Sequence, residues 1–195
     1  QINNLKEHWN NLRNNPSINF SKELIVKKQQ PVNKYSIKKL SSKKLEKKRK
    51  NNKNLLHIAK PYLNLISLTL EKKSHLVGIA DKNGWLLKLI RKDNKYQKKE
   101  FGGIKAGIAT GINYKEKYMN ENGIGTAINS KKAVVIYGYQ HFNYKYSDFV
   151  CFGAPILTKN NGCMGILSII LYTEDFDFKY ILSAMLYINN IEILL

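Results

Sequence analysis

Two apolar runs, Phe149 to Leu157 and Cys163 to Tyr172, flank the short polar stretch Lys159-Asn-Asn-Gly162, and no other feature restricts the fold as much. Runs this short and this apolar read as strands buried on both faces, closed into a hairpin by a glycine-bearing turn and central in a sheet. A turn centred near Asn160 sets Cys151 opposite a residue close to Ile170. Cys151 and Cys163 therefore do not face each other, and no disulfide is expected.

The same logic finds a second hairpin in His75 to Ala80, the turn Asp81-Lys-Asn-Gly84 and the return strand Trp85 to Ile90. Lys132 to Tyr137 forms a further strand, in which Val134, Val135 and Ile136 are too consecutively apolar to be exposed on either face. Leu55, Leu56, Ile58, Ala59, Leu63, Ile66, Leu68 and Leu70 make a mostly apolar helical face, and Pro61 lies near its start, where proline is tolerated if the helix proper begins at about that point. At the other end, Phe176, Phe178, Ile181, Leu182, Met185, Leu186, Ile188, Ile191 and Leu194 wind round a helix with acids at its start, where the helix dipole favours them. A helix so apolar buries more than one face: one covers the sheet, and the other suits a twin helix across a dimer axis.

Asn122-Gly-Ile-Gly-Thr-Ala-Ile128 carries a Gly-x-Gly spacing but lacks a third glycine and a following phosphate-loop lysine, and no predicted strand leads directly into it. Gly123 and Gly125 instead let a helix start pack against the sheet, while Thr126 or Asn122 satisfies free backbone N–H groups. Tyr139-Gln-His-Phe142 places a titratable ring among aromatics; His141 could hydrogen-bond a ligand, bind a metal or tie a corner to a backbone carbonyl. A metal site from Cys151, Cys163 and His141 matches no recognised spacing. No nucleophile, base and orienting group occur together, so nothing points to catalysis.

These motifs, taken in order, resemble the GAF domain that precedes the ATPase module of sigma-54-dependent enhancer-binding activators, of the acetoin operon regulator type. The family pattern runs Trp-Ser-Glu, Gly-Thr-Asn-x-Ile-Gly-Thr-Ala-Leu, a strand, Glu-His-Phe, Cys-x-x-x-Pro-Ile and Asp-x-x-Gly. Tyr114 stands at the Trp and Glu116 at the Glu; Asn122, Ile124, Gly125, Thr126 and Ala127 match, as do His141-Phe142, Cys151, Pro155, Ile156, Gly162 and Gly165. Asn120 and Glu121 replace the Gly-Thr, and Gln140 replaces a Glu, so the resemblance carries the fold further than it carries ligand specificity. It covers roughly residues 55 to 195 well and the first 50 poorly.

What the resemblance implies is an α/β (α+β) GAF-like domain: an antiparallel sheet of about six strands, helices on one face and a ligand pocket on the other. Tyr114, Asn122, Thr126, Tyr139, His141, Phe142 and Cys151 are its expected ligand-binding residues, with Cys151 and Gly153 near the pocket floor and the glycine-rich stretch 91–112 as gate or surface loop. It implies a cytoplasmic homodimer with an unidentified small-molecule effector and no cofactor, meeting DNA and RNA polymerase only through other domains, and whose last helix passes ligand occupancy to the ATPase module.

The chain divides into a basic, partly helical lead-in (1–54), the sensor domain (55–174) and a C-terminal helix (175–195). It opens on Gln1 and closes on Ile-Glu-Ile-Leu-Leu195, as a piece of something longer would, with no secretory leader and no membrane-spanning run. Its formal charge of +19 sits mainly at the front, with +13 in residues 1–60. Only Arg13, Arg49 and Arg91 are arginines among 33 basic residues. Readers of nucleic-acid sequence favour the arginine fork, so the lysine run Lys38 to Lys53 reads first as solvated surface and second as a salt-sensitive, non-specific partner surface. A nucleic-acid-binding module and a ligand-free dimerisation module remain the alternatives to a sensor.

Overall fold

A computed structural model of the chain describes residues 37–70, 72–93, 107–141, 146–160 and 162–195, together with the backbone but not the side chain of Tyr139. Residues 1–36 of the expected lead-in lie outside the described residues, as does most of the expected gate.

The order of elements is α1 (Ser42–Asn51), α2 (Lys53–Thr69), β1 (His75–Asp81), β2 (Leu86–Lys92), α3 (Glu116–Met119), α4 (Gly123–Ser130), β3 (Val134–Tyr137), β4 (Phe149–Leu157), β5 (Cys163–Tyr172) and α5 (Phe178–Leu194). Among the described residues the sheet has five antiparallel strands in the order β2-β1-β5-β4-β3, rather than about six. Outside these strands, isolated bridges pair Lys39 with Ile112 and Trp85 with Asn113.

The apolar hairpin is β4–β5, with β5 at the centre of the sheet and Cys151 opposite Ile170 as its turn position required. The β1–β2 turn closes on Gly84 at φ +81, a conformation that a side chain would strain. Asp81 caps this turn by accepting from the backbone N–H groups of Asn83 (2.9 Å) and Trp85 (3.0 Å). β3 is an edge strand, so Val134 and Ile136 stay half-buried while Val135 is buried, less enclosed than its apolar run predicts.

Because side chains alternate across a strand, the sheet divides cleanly into two sides. Val77, Ile79, Leu167, Ile169 and Phe152 share the side covered by α2 and α5. α2 lays Leu55, Ala59, Leu63 and Ile66 there, and α5 adds Ile181, Ala184, Ile188 and Ile191, all buried. Each such side chain contributes about 1.5–3 kcal/mol of transfer free energy before chain entropy is charged against it. Pro61 does not start α2 but sits inside it, exposed. The N–H that proline lacks falls on the solvent-facing side, where water can take the freed carbonyl. α5 begins at Asp177, whose carboxylate accepts from Lys179 N. Its Glu192 Oε1 accepts from Leu157 N at 2.7 Å, fixing the helix to the end of β4.

The opposite side is not left to a ligand alone, as helices on one face would imply. α3, α4 and residues 107–115 cover it. α1 docks on the β1–β2 hairpin through Lys48, whose ammonium meets Asp81 at 2.7 Å, and Arg49, whose Nε donates to Leu87 O at 2.9 Å. These two residues depart from the solvated-surface reading of the lysine run. Among the described residues no helix is long and apolar enough to cross a membrane.

Candidate functional site

The site is the apolar cluster under α4. Leu76 and Ala80 of β1, Ile166 and Ile170 of β5, and Phe149 and Cys151 of β4 project to this side and meet Ile108, Ile112, Tyr114, Met119, Ile124 and Ala127. The approach of α4 depends on glycine at both ends of the contact. A Cβ on Gly123 would lie 2.7 Å from the Phe152 carbonyl, and one on Gly153 would collide with the Gly123 backbone. Gly153 is thus the seat of α4 rather than an open pocket floor.

Asn122 caps α4: its Oδ1 accepts from Gly125 N at 2.9 Å, and its Nδ2 donates to Tyr114 O (2.8 Å) and Asn120 O (2.7 Å). Thr126 donates to Glu116 Oε1 at 2.6 Å, and Asn129 Nδ2 donates to the other oxygen of the same carboxylate, which ties α3 to α4. Asn120 lies between them at φ +52, ψ −162, backbone that glycine tolerates and other residues reach only under strain. That is the physical reason for a glycine at this position of the resembled motif, and asparagine is among the residues that enter φ > 0 most readily.

At the edge of the cluster the chain gathers neutral polar groups. Tyr114 is buried; its hydroxyl accepts from Ala109 N at 3.1 Å, and among the described residues no acceptor takes its own proton. Burial raises its pKa, with smaller contributions from the nearby Tyr146 and Cys151. Burial likewise pushes the Cys151 thiol up to about 12, so it is a protonated, unreactive side chain at neutral pH.

His141 is buried, with its ring 5.9 Å from that of Tyr146, which itself packs against the cluster. Its Nδ1 lies 2.8 Å from Gly138 O. A carbonyl only accepts, so Nδ1 carries the proton; burial lowers the pKa and keeps the ring neutral, leaving Nε2 as a bare acceptor. That Nε2 is buried without a hydrogen-bond partner among the described residues, a situation that costs about 1–3 kcal/mol.

Of the residues expected to bind ligand, Tyr114, His141 and Cys151 line or adjoin this cluster. Asn122 and Thr126 spend their polar atoms within the α3–α4 joint. Phe142 and the Tyr139 side chain lie outside the described residues. Of the alternatives for His141, the corner tie is present, and it occupies only half the ring. Tyr146 and Ile108 are additions, from aromatic- and glycine-rich stretches without local periodicity. Among the described residues no three His, Cys, Asp or Glu side chains draw together as metal ligands.

The profile of the MimR N-terminal domain matches residues 43–179. The chain is 26% identical over 118 residues to a signal-transduction and transcriptional-control protein of Clostridium beijerinckii, and the match covers 60% of this chain and 18% of that protein. It is 28% identical over 102 residues to the propane 2-monooxygenase operon transcriptional activator MimR of Mycolicibacterium smegmatis, covering 52% of this chain and 17% of that one. The aligned part is therefore less than a fifth of the length of either relative. Among solved structures, the E. coli DhaR(N)-DhaL complex contains a chain that superposes with TM-score 0.71 at 14% identity, over 80% of this chain and 52% of that chain, and so shares its fold. The chain belongs to the MimR N-terminal domain family.

Proposed function

We propose that this member of the MimR N-terminal domain family is the signal-receiving domain of a sigma-54-dependent transcriptional activator of the acetoin operon regulator type. A small molecule held on the α4 side of the sheet changes the populations of two arrangements, and α5 passes that bias to an ATPase module elsewhere in the protein. The observation that carries the reading is the buried acceptor of His141, without a hydrogen-bond partner among the described residues, beside an apolar cluster. Such a site suits binding and discrimination, and burial keeps its thiol protonated. Control needs only about 1–3 kcal/mol of coupling between the ligand and the output.

The output helix is built for the role. α5 is fixed to β4 through Glu192, and it exposes Leu182, Leu186 and Ile193 on its outer side. In a homodimer the same stripe on a second copy would cover them. DNA and polymerase meet the protein through other domains, inside the cytoplasm, and the domain needs no cofactor or membrane.

The test is a thermal-shift screen of the 195-residue chain against small neutral metabolites, carboxylates, nucleotides and divalent metals, followed by a sigma-54-dependent reporter driven by a full-length activator. A ligand at 100 times its Kd should add about 2.7 kcal/mol of stability. Stabilisation by one chemical class, with a matching change in reporter output, is the expected result; a chain that nothing stabilises counts against the sensor reading. A second reading draws on the fold shared with DhaR(N), solved in complex with DhaL: the signal arrives as a docked protein. It predicts capture of a defined protein partner by the domain and no small-molecule shift.

A further inference from the structure

Resting on the sensor reading, we infer that the α4-side site takes a small, uncharged organic molecule bearing a hydroxyl, whose proton is donated to His141 Nε2. The direction of that bond follows from the other side of the ring. Nδ1 gives its proton to Gly138 O at 2.8 Å, so the buried Nε2 can only accept. A ligand with nothing but acceptors, such as a ketone or an ether, leaves it unsatisfied. Tyr114 supplies the converse, a buried hydroxyl whose proton has no acceptor among the described residues, and a hydroxyl oxygen can receive it.

The absence of charge follows from the surroundings. The side chains that build the cluster are aliphatic and aromatic, with the thiols of Cys151 and Cys163 and the phenols of Tyr114, Tyr118, Tyr146 and Tyr172, and the ammonium groups of Lys38 and Lys117 meet it at its outer edge, over the Tyr118 ring. A carboxylate or ammonium ligand would be desolvated inside the cluster with no counter-charge among the side chains that build it, which is far more costly than burying a hydroxyl.

The experiment uses the full 195-residue chain and matched probes: 2-butanol and phenol against 2-butanone, anisole, butyrate and benzoate, read by thermal shift and titration calorimetry. The alcohol and phenol should stabilise the chain, the ketone and ether should bind at least about tenfold more weakly, and the carboxylates should not bind. His141→Asn keeps an amide N–H able to reach Gly138 O but removes the Nε2 acceptor. It should fold, as shown by an unchanged circular dichroism spectrum, and bind hydroxyl and non-hydroxyl probes equally. If 2-butanone and anisole bind the wild type as tightly as their hydroxyl partners, the sensor reading stands, this inference falls, and Nε2 is left to a buried water. Preferential binding of the carboxylates overturns it as well. If no compound of any class shifts the wild type, the sensor reading fails and takes the inference with it.

Discussion

The two buried histidines of the sheet domain are held in opposite ways. His75, on the α2 side, uses both nitrogens: Nδ1 donates to Lys73 O and Nε2 accepts from the Ser67 hydroxyl, each at 2.7 Å. His141, at the edge of the α4 side, uses only Nδ1. Both rings are neutral because burial lowers their pKa, so charge does not distinguish them; completion does. On the side that carries the output helix both nitrogens of the histidine are answered from within the protein, and Asp175 at the entry to α5 pairs one carboxylate oxygen with Lys73 while its buried Oδ2 has no hydrogen-bond partner among the described residues. The side under α4 keeps hydrogen-bonding capacity that nothing among the described residues uses, and unused capacity is what a binding site consists of before its ligand arrives.

The largest effect should come from damaging the α2 side. Phe152 is fully buried there, and Phe152→Ala should cost about 3–5 kcal/mol in urea unfolding because the close-packed α2 and α5 cannot collapse into the space. A loss under 1 kcal/mol would mean that this side is loosely packed, and the comparison would break at its first term.

Next in size is a change that makes the two histidines alike. Ser67→Ala removes the donor to His75 Nε2 and leaves a second buried acceptor without a partner. The expected cost is about 1–3 kcal/mol by thermal or urea denaturation, with no effect on ligand binding. If effector binding changes as much as stability does, the two sides are not separable.

A gain of about 1 kcal/mol should follow from Asn120→Gly, which relieves the φ +52 backbone at the α3–α4 joint without touching either histidine. Denaturation midpoints would show it, and a destabilised variant would mean that the Asn120 side chain contributes more than the strain costs.

These contrasts also mark what could be read from the chain beforehand. Both hairpins and the C-terminal helix were legible because strand and helix periods are local, and a central turn near Asn160 fixes register by counting alone. Asn122 could be read as a cap and Gly123 as a point of close approach, since the chemistry of helix starts is equally local. Pro61 misled because a proline's tolerance depends on which side of the helix meets solvent, which its neighbours do not encode. The edge position of β3 was hidden because strand order is set by long-range pairing. Local sequence could propose that His141 ties a corner; that its other nitrogen is buried and unanswered depends on what the fold folds over it. Likewise, Asn122 and Thr126 have the composition of ligand-binding residues, and only the placement of Glu116 and Tyr114 shows where their hydrogen bonds go.

The smallest effect is one of slope, vanishing at neutral pH. In the unfolded chain both histidines titrate near pH 6.5, whereas burial depresses their pKa in the fold. Below about pH 6.5 the unfolded state therefore binds more protons than the folded state, and stability is lost as pH falls from there through the folded-state values. Thermal midpoints measured from pH 7.5 down to 5.5, above the range where carboxylates take up protons, should fall for the wild type. His141→Asn should fall less steeply, because one of the two neutral rings has gone, so its difference from the wild type should change as pH falls from its value at pH 7.5. A hydroxyl ligand sharpens the point further. Donating to Nε2 competes with protonation of that nitrogen, so ligand affinity should hold where the ring is neutral, weaken as pH falls through the lowered folded-state pKa of His141, and stay level for His141→Asn. A wild-type profile that is flat between pH 7.5 and 5.5 would show that these rings are not held neutral, and the difference between the two histidines would have to rest on something other than hydrogen-bond completion.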